Sequence, residues 1–140
     1  MLKISTRSQY ALLIMTDLAQ SDPGKYIPLK NLSQKHNLSV KYLEQILIQL
    51  GKAGLVSGLR GNNGGYKITK SPEEYSAGEI IRAMEGNLSP CDNIDENFSD
   101  AGNIQFWDGF TKSINDYVDS ISLDMIVQKN QDEEGLDYCI

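Results

Sequence analysis

Histidine and cysteine are scarce in this chain. Its 140 residues include one histidine, His36, and two cysteines, Cys91 and Cys139. Two cysteines do not make the disulfide framework of a small secreted domain. A single histidine leaves no nucleophile–base pair at a recognisable spacing and no cluster of metal ligands, so an enzyme is not expected. Long apolar runs are missing as well. The longest, Ala11–Met15, falls far short of the roughly 20 residues that a bilayer requires. The stretch from Met1 to Arg7 lacks the apolar core of a signal peptide. These absences predict a cytoplasmic protein with reduced thiols and no membrane partner. Internal repeats and low-complexity segments are also absent.

Basic residues are nearly absent from one half. Residues 71–140 carry three Lys or Arg against sixteen Asp or Glu, a net −13. Residues 1–70 carry ten against three, a net +7, and the whole-chain charge of −6 hides the division. Lys and Arg neutralise nucleic-acid phosphates. A basic half joined to an acidic half can therefore meet a polyanion with one end and be oriented by repulsion at the other.

The spacing of apolar residues and breakers orders the chain. Ser5 or Thr6 can cap a first helix running to about Gln20, with Tyr10, Ala11, Ile14 and Leu18 on one face. Asp22-Pro23-Gly24 ends it in a turn. Leu29–Lys35 reads as a short helix, and Asn37 suits a left-handed backbone position after it. Ser39 is an N-cap for a helix from Val40 to about Ala53, whose apolar set is Leu43, Ile46, Leu47 and Leu50. Gly54 is the expected stop. The period then shortens: Leu55–Leu59 and Tyr66–Thr69 read as strands around a Gly61–Gly65 turn, where Asn-Gly supplies positive φ. Helix, helix–turn–helix and hairpin in that order make a winged helix-turn-helix over 1–71.

The second half reads as accessory. Pro72 marks the boundary, and Ser76-Ala77-Gly78-Glu79 is a capping box opening a helix through Glu85 that Gly86 ends. A polar, acidic, sensor-type loop with Cys91 completes 72–102. Over 103–127 a long helix and a short terminal helix are expected. Ile104, Trp107, Thr111, Ile114, Val118 and Ile121 advance by threes and fours, with Phe110 and Tyr117 as alternates at two steps. That is the seam of a helix packing on a partner helix, here a dimer mate. Residues 128–140 read as a flexible acidic tail. The fold class is thus mainly α with a small β-hairpin wing and a long C-terminal dimerisation helix.

The segment from Ser39 to Gln45 is the candidate recognition element, because the N-terminal residues of a helix in the major groove reach base edges. With Leu43, Ile46 and Leu47 inward, Ser39, Lys41, Tyr42, Glu44 and Gln45 are left for the groove. Ser39 suits a phosphate or base edge, and Lys41 and Tyr42 suit phosphates or guanine. A carboxylate facing DNA is repelled unless it accepts from cytosine N4. Glu44 therefore reads bases, or else has an intrahelical or solvent partner. Arg60 beside a glycine-rich tip can enter a minor groove; a plain hairpin turn with Arg60 in solvent is the competing reading. A phosphate-cradling nucleotide loop does not fit, since the run lacks the Gly-Lys-Ser/Thr ending and opens no helix.

Five ordered segments carry a resemblance: Ser5–Leu12, Leu38–Leu47, Lys52–Val56, Arg60–Tyr66 and Ile80–Gly86. Together they resemble the bacterial Rrf-type winged-helix regulators, the family of IscR, NsrR and CymR, from residue 1 to about 127. The resemblance implies a homodimer on double-stranded DNA at an imperfect palindrome in promoters, with the long helix crossing its mate. It places Ser39, Lys41, Tyr42 and Glu44 in the groove and Arg60 on the wing. Gln45, with Arg7 and Tyr10 of the first matched segment, completes the candidate DNA-contacting set. Repression is the expected mode, with the acidic part answering to a small-molecule or protein effector. The competing reading is a protein-interaction module, or a regulator controlled by an enzyme partner, in which DNA binding is secondary.

One departure from the family pattern concerns cysteine. Cluster-binding relatives place three cysteines in the loop before the dimer helix, whereas this loop has only Cys91. A thiolate cluster wants about four ligands. Asp92, Asp95, Glu96 and Asp100 can add oxygen ligands, and His36 lies in another segment. The text from Glu85 to Pro90 is closer to the cluster-free, cysteine-metabolism branch, so no iron–sulfur cofactor and no metal are expected. Cys91 is then an inert small residue, a redox-sensing thiol or a ligand; nearby acids disfavour the second role. Cys139 reads as an incidental exposed thiol.

Overall fold

The computed structural model describes residues 3–91 and 100–138. Asp92, Asp95, Glu96 and Cys139 lie outside the described residues. Helix α1 spans Thr6–Gln20, α2 Leu29–His36 and α3 Val40–Lys52. Strands β1 (Val56–Leu59) and β2 (Gly65–Ile68) form the hairpin, and a single 3-10 turn covers Pro72–Glu74. Helices α4 (Ala77–Glu85), α5 (Ala101–Ser120) and α6 (Leu123–Tyr138) follow.

The expected caps form. Ser5 Oγ accepts from Ser8 N at 3.1 Å, and Ser39 Oγ accepts from Tyr42 N at 3.1 Å. Asn37 has a φ of 53°, which separates α2 from α3. Helix α1 is the hub: it packs against α3, α4, α6 and β2. Its Ala11, Ile14, Met15 and Leu18 join Leu43, Ile46, Leu47 and Leu50 of α3 in one buried core.

The hairpin pairs Val56 with Ile68 and Leu59 with Gly65, antiparallel, and Ile27 bridges to Tyr66 on its other edge. Both strands begin one residue away from the expected bounds, and the turn works differently. Asn62 and Asn63 do not take positive φ; Gly61 (109°) and Gly65 (146°) do. Gly64 and Gly65 are needed for close approach. A Cβ on Gly64 would sit 2.0 Å from the Leu59 carbonyl oxygen, and one on Gly65 would sit 2.1 Å from that of Ile27.

Tyr75, only 1 % exposed, fastens the wing to the second half. Its hydroxyl donates to the Leu55 carbonyl at 2.7 Å and accepts from Thr69 N at 2.8 Å. The Ser76 capping box is half formed. Ser76 Oγ accepts from Glu79 N at 3.0 Å, while the Glu79 carboxylate turns to Lys70 Nζ at 2.9 Å.

Two boundaries of the second half differ from expectation. Asp100 caps α5 by accepting from Gly102 N at 3.0 Å, so the helix starts two residues before Asn103. The segment read as a flexible tail from 128 continues α6 as far as Tyr138. Leu123 and Val127 anchor that helix in the core region, and Asn130 Nδ2 donates to Gln20 Oε1 of α1 at 3.3 Å. Gln131 to Glu134 contain no Gly or Pro, and Gln and Glu are good helix formers. Polarity there marks a solvated helix surface.

Leu47 is fully buried at the α1–α3 contact. Leu47→Ala is expected to lower the unfolding free energy by roughly 2–5 kcal/mol, read from urea denaturation.

Candidate nucleic-acid interface

Helix α3 divides sharply into two faces. Leu43, Ile46, Leu47 and Leu50 are all 0 % exposed, whereas Ser39, Val40, Lys41, Glu44, Gln45 and Ile48 are exposed. The 3.6-residue period forces this separation once the apolar set is buried. Ser39 Oγ spends a lone pair on the helix cap, which leaves its O–H free to donate outward. Glu44 forms no salt bridge among the described residues, so the intrahelical partner is not found and the carboxylate is free in solvent. Tyr42 is half-buried and meets Tyr10 of α1 edge-on, with ring centroids 6.0 Å apart. The two aromatics fix the start of α3 against α1.

Arg60 is exposed at the wing, next to Gly61. Arg7 is half-buried, and its Nε is the one buried side-chain polar atom without a partner among the described residues. With Gln45, Ile48, Gln49 and Lys52 it lines a shallow groove of about 290 Å³ along α3. The structure therefore gathers Arg7, Tyr10, Ser39, Lys41, Tyr42, Glu44 and Gln45 on the α1–α3 side, and Arg60 stands on the hairpin.

Three positioning residues escaped the sequence reading. Gln49 Nε2 donates to the carbonyls of Ala83 (3.2 Å) and Met84 (3.3 Å), tying α3 to the end of α4. From that same end, Glu85 Oε1 accepts from Ser5 N at 2.8 Å and Ser8 Oγ at 2.7 Å. These hydrogen bonds hold the Glu85 carboxyl below its ordinary range. Tyr75, described above, is the third. No local pattern marks them, because the Ser5, Ala83 and Leu55 partners of Glu85, Gln49 and Tyr75 are 20 to 80 residues away in sequence.

The seam residues Ile104, Trp107, Thr111, Ile114 and Val118 of α5, with Ile121 at its C-cap, are each half-buried within the single chain. The C-terminal end of this face packs on α4. A Cβ on Gly78 would lie 3.0 Å from Val118 Cγ2, and the Ile121 carbonyl accepts from Ala77 N at 2.7 Å. Arg82 donates to Asp119 at 2.6 Å and to Asn115 at 2.7 Å, and the former bond lowers the Asp119 pKa. Val118 and Ile121 thus have an intrachain role that periodicity could not distinguish from a partner's. The alternates Phe110 and Tyr117 are the outward ones, 40 and 68 % exposed, and Phe106, which the seam reading did not include, is 60 % exposed. Cys91 is a free, half-buried thiol.

A family model described as "Rrf2: Iron-dependent Transcriptional regulator" matches residues 4–129. The HTH-type transcriptional regulator CymR of Bacillus subtilis is 34% identical over 133 residues, covering 95% of each chain. The solved structure of CymR, titled the global cysteine regulator of B. subtilis, superposes with a TM-score of 0.83 at 36% identity, over 92% of this chain and 98% of that one. The T. potens IscR structure gives 0.74 at 36% identity, over 92% and 88%. The family description implies iron, and the donor set does not fit a thiolate cluster. Cys91 is the only cysteine between α4 and α5, and the one histidine, His36, is held by Asp17 on α1. No group of three ligating side chains able to hold a metal occurs among the described residues. No helix among them is long and apolar enough to cross a membrane.

The Glu85 link carries a pH signature. Its folded pKa is lowered, so its stabilisation is present above the ordinary carboxylate range and is lost as pH falls through the folded value. At neutral pH, Glu85→Gln is expected to cost about 1 kcal/mol or less, because the group is solvent-exposed. Melting curves across pH should show the gap between the two proteins closing on the acid side.

Proposed function

The chain belongs to the Rrf2 family of transcriptional regulators, and from that footing we propose that it is a dimeric repressor of an imperfectly palindromic promoter site. The observation carrying the reading is the bare outer face of α3. Lys41, Glu44 and Gln45 are exposed there, while the opposite face is wholly buried. In this reading the start of α3 enters the major groove. Lys41 contacts phosphate, Glu44 accepts from cytosine N4, and Gln45 reaches a neighbouring base edge. Arg7 and Tyr10 brace the flanking backbone, and Arg60 enters the minor groove.

Helix α5 supports the dimeric part of this reading. Its Phe106, Trp107 and Phe110 form one aromatic cluster, with Phe106–Phe110 centroids 6.4 Å apart and Trp107 edge-on to both. Three large aromatics on an exposed helix suit a second copy of the same helix, with Ile104, Thr111 and Ile114 adding to the contact. Two-fold symmetry then spaces the recognition helices by one DNA turn, about 34 Å, or a multiple of it. The acidic α5–α6 half turns away from the phosphates.

Lys41→Ala is expected to weaken binding to every DNA sequence and to reduce the slope of log affinity against log salt by about one. Glu44→Ala should instead relax preference at one base pair. Fluorescence anisotropy on a panel of site variants separates the two, and equal losses on all sites would remove the base-reading role. Phe110→Glu should shift sedimentation from dimer toward monomer; an unchanged dimer would move the interface elsewhere.

A further inference from the structure

We infer that the cleft between the end of α1 and the root of the wing binds a small organic polyanion, a short carbon skeleton carrying carboxylate or phosphate groups. The cleft measures about 330 Å³, at the small end of the roughly 300–1,000 Å³ typical of metabolite-sized sites. Leu18, Ala19, Ile68 and Pro72 give it an apolar wall, and Lys25, Lys67 and Lys70 stand on its rim against Asp22.

Two of the three lysines are held in place by aromatic rings. Lys67 Nζ lies 4.7 Å from the centre of the Tyr26 ring, and Lys70 Nζ lies 4.7 Å from that of Tyr75. A cation–π contact orients an ammonium group without neutralising it. Lys70 also pairs with Glu79, while Lys25 and Lys67 have no carboxylate partner among the described residues. The lining hydroxyls are already used: Ser21 donates to the Asp17 carbonyl, Thr69 to that of Gly54, and Ser71 to Glu74. Recognition is thus left to the Lys25 and Lys67 ammonium groups, which select for negative charge, and to the apolar wall, which selects for carbon. A bare inorganic ion uses only the rim.

The cleft is separate from the face assigned to DNA. Leu18 lies eight residues beyond Tyr10, about 12 Å along α1 from the Tyr10–Tyr42 contact. Its two walls belong to different elements, since Lys67 pairs across the hairpin with Ser57 and Leu18 is on α1. An occupant therefore cross-links the wing to the hub helix and restrains the hairpin that carries Arg60. That regulatory consequence rests on the DNA-binding reading, whereas the site itself does not.

The test uses the full chain without DNA, titrated at constant ionic strength with succinate and separately with glycerol 3-phosphate, and followed by amide NMR. Saturable shifts confined to 18–25 and 67–72 are expected with at least one probe, and the preferred probe identifies carboxylate or phosphate as the source chemistry. The double variant Lys25→Gln, Lys67→Gln should weaken binding at least about tenfold, since two charge-assisted contacts are lost. Lys112→Gln, on the far helix, should bind as wild type. Absence of saturable shifts with both probes, shifts centred on α3, or full binding by the double variant would each overturn the inference. A protein that binds DNA yet fails this titration loses only the inference; one that passes it yet ignores DNA loses only the proposed function.

Discussion

Everything on the proposed DNA-binding surface depends on the burial of one face of α3. Leu43, Ile46, Leu47 and Leu50 are fully buried in the core that α3 shares with α1, α2, α4 and β1. Burying an aliphatic side chain of this size is worth about 1.5–3 kcal/mol. Rotating the helix by one residue would forfeit several such terms at once, and no surface contact of Lys41 or Gln45 approaches that sum. The outward set is therefore dictated by the inward one. The side chains available to a partner are consequences of packing, held in register before any DNA arrives.

Helix α1 transmits that rigidity. It supports α3 through Tyr10 and the core, and its N-terminus is held by Ser5 and by Glu85 from α4. Gln49 closes the loop by binding the last carbonyls of α4. The end of α4, just before the loop that leads to α5, is thus hydrogen-bonded to both α1 and α3. Change in the acidic half has a short physical route to the basic half. The charge division serves the same arrangement: the positive residues cluster on the elements around α3 and the wing, and sixteen of the nineteen acids follow Ser71 in the second half.

Local signals were legible and distant ones were not. The caps at Ser5, Ser39 and Ser76, the left-handed Asn37 and the apolar face of α3 are all written within a few residues of themselves, and the structure has them where the spacing puts them. The hairpin was legible as a hairpin, but its turn was not, because the need for Gly64 and Gly65 arises from the Leu59 and Ile27 carbonyls beside them. The acidic end of α6 reads as a tail in the sequence because its polarity is the same whether it is solvated helix or coil. Its anchor, Leu123 and Val127 against the core, is tertiary. The face of α5 shows the same limit: heptad spacing identifies a packed helix without saying whether the neighbour is α4 or a second chain. Gln49 and Glu85 act wholly across such distances, and Tyr75 does so through its bond to the Leu55 carbonyl.

The most direct test of the central claim is a chemical footprint of the protein on a promoter fragment selected for tight binding, read as protection of guanine N7 in the major groove. Two protected patches on one face of the duplex, one helical turn or a multiple apart, are the predicted result. Unprotected guanine N7 throughout a tightly bound site would contradict the account, because the outer face of α3 would then lie outside the groove.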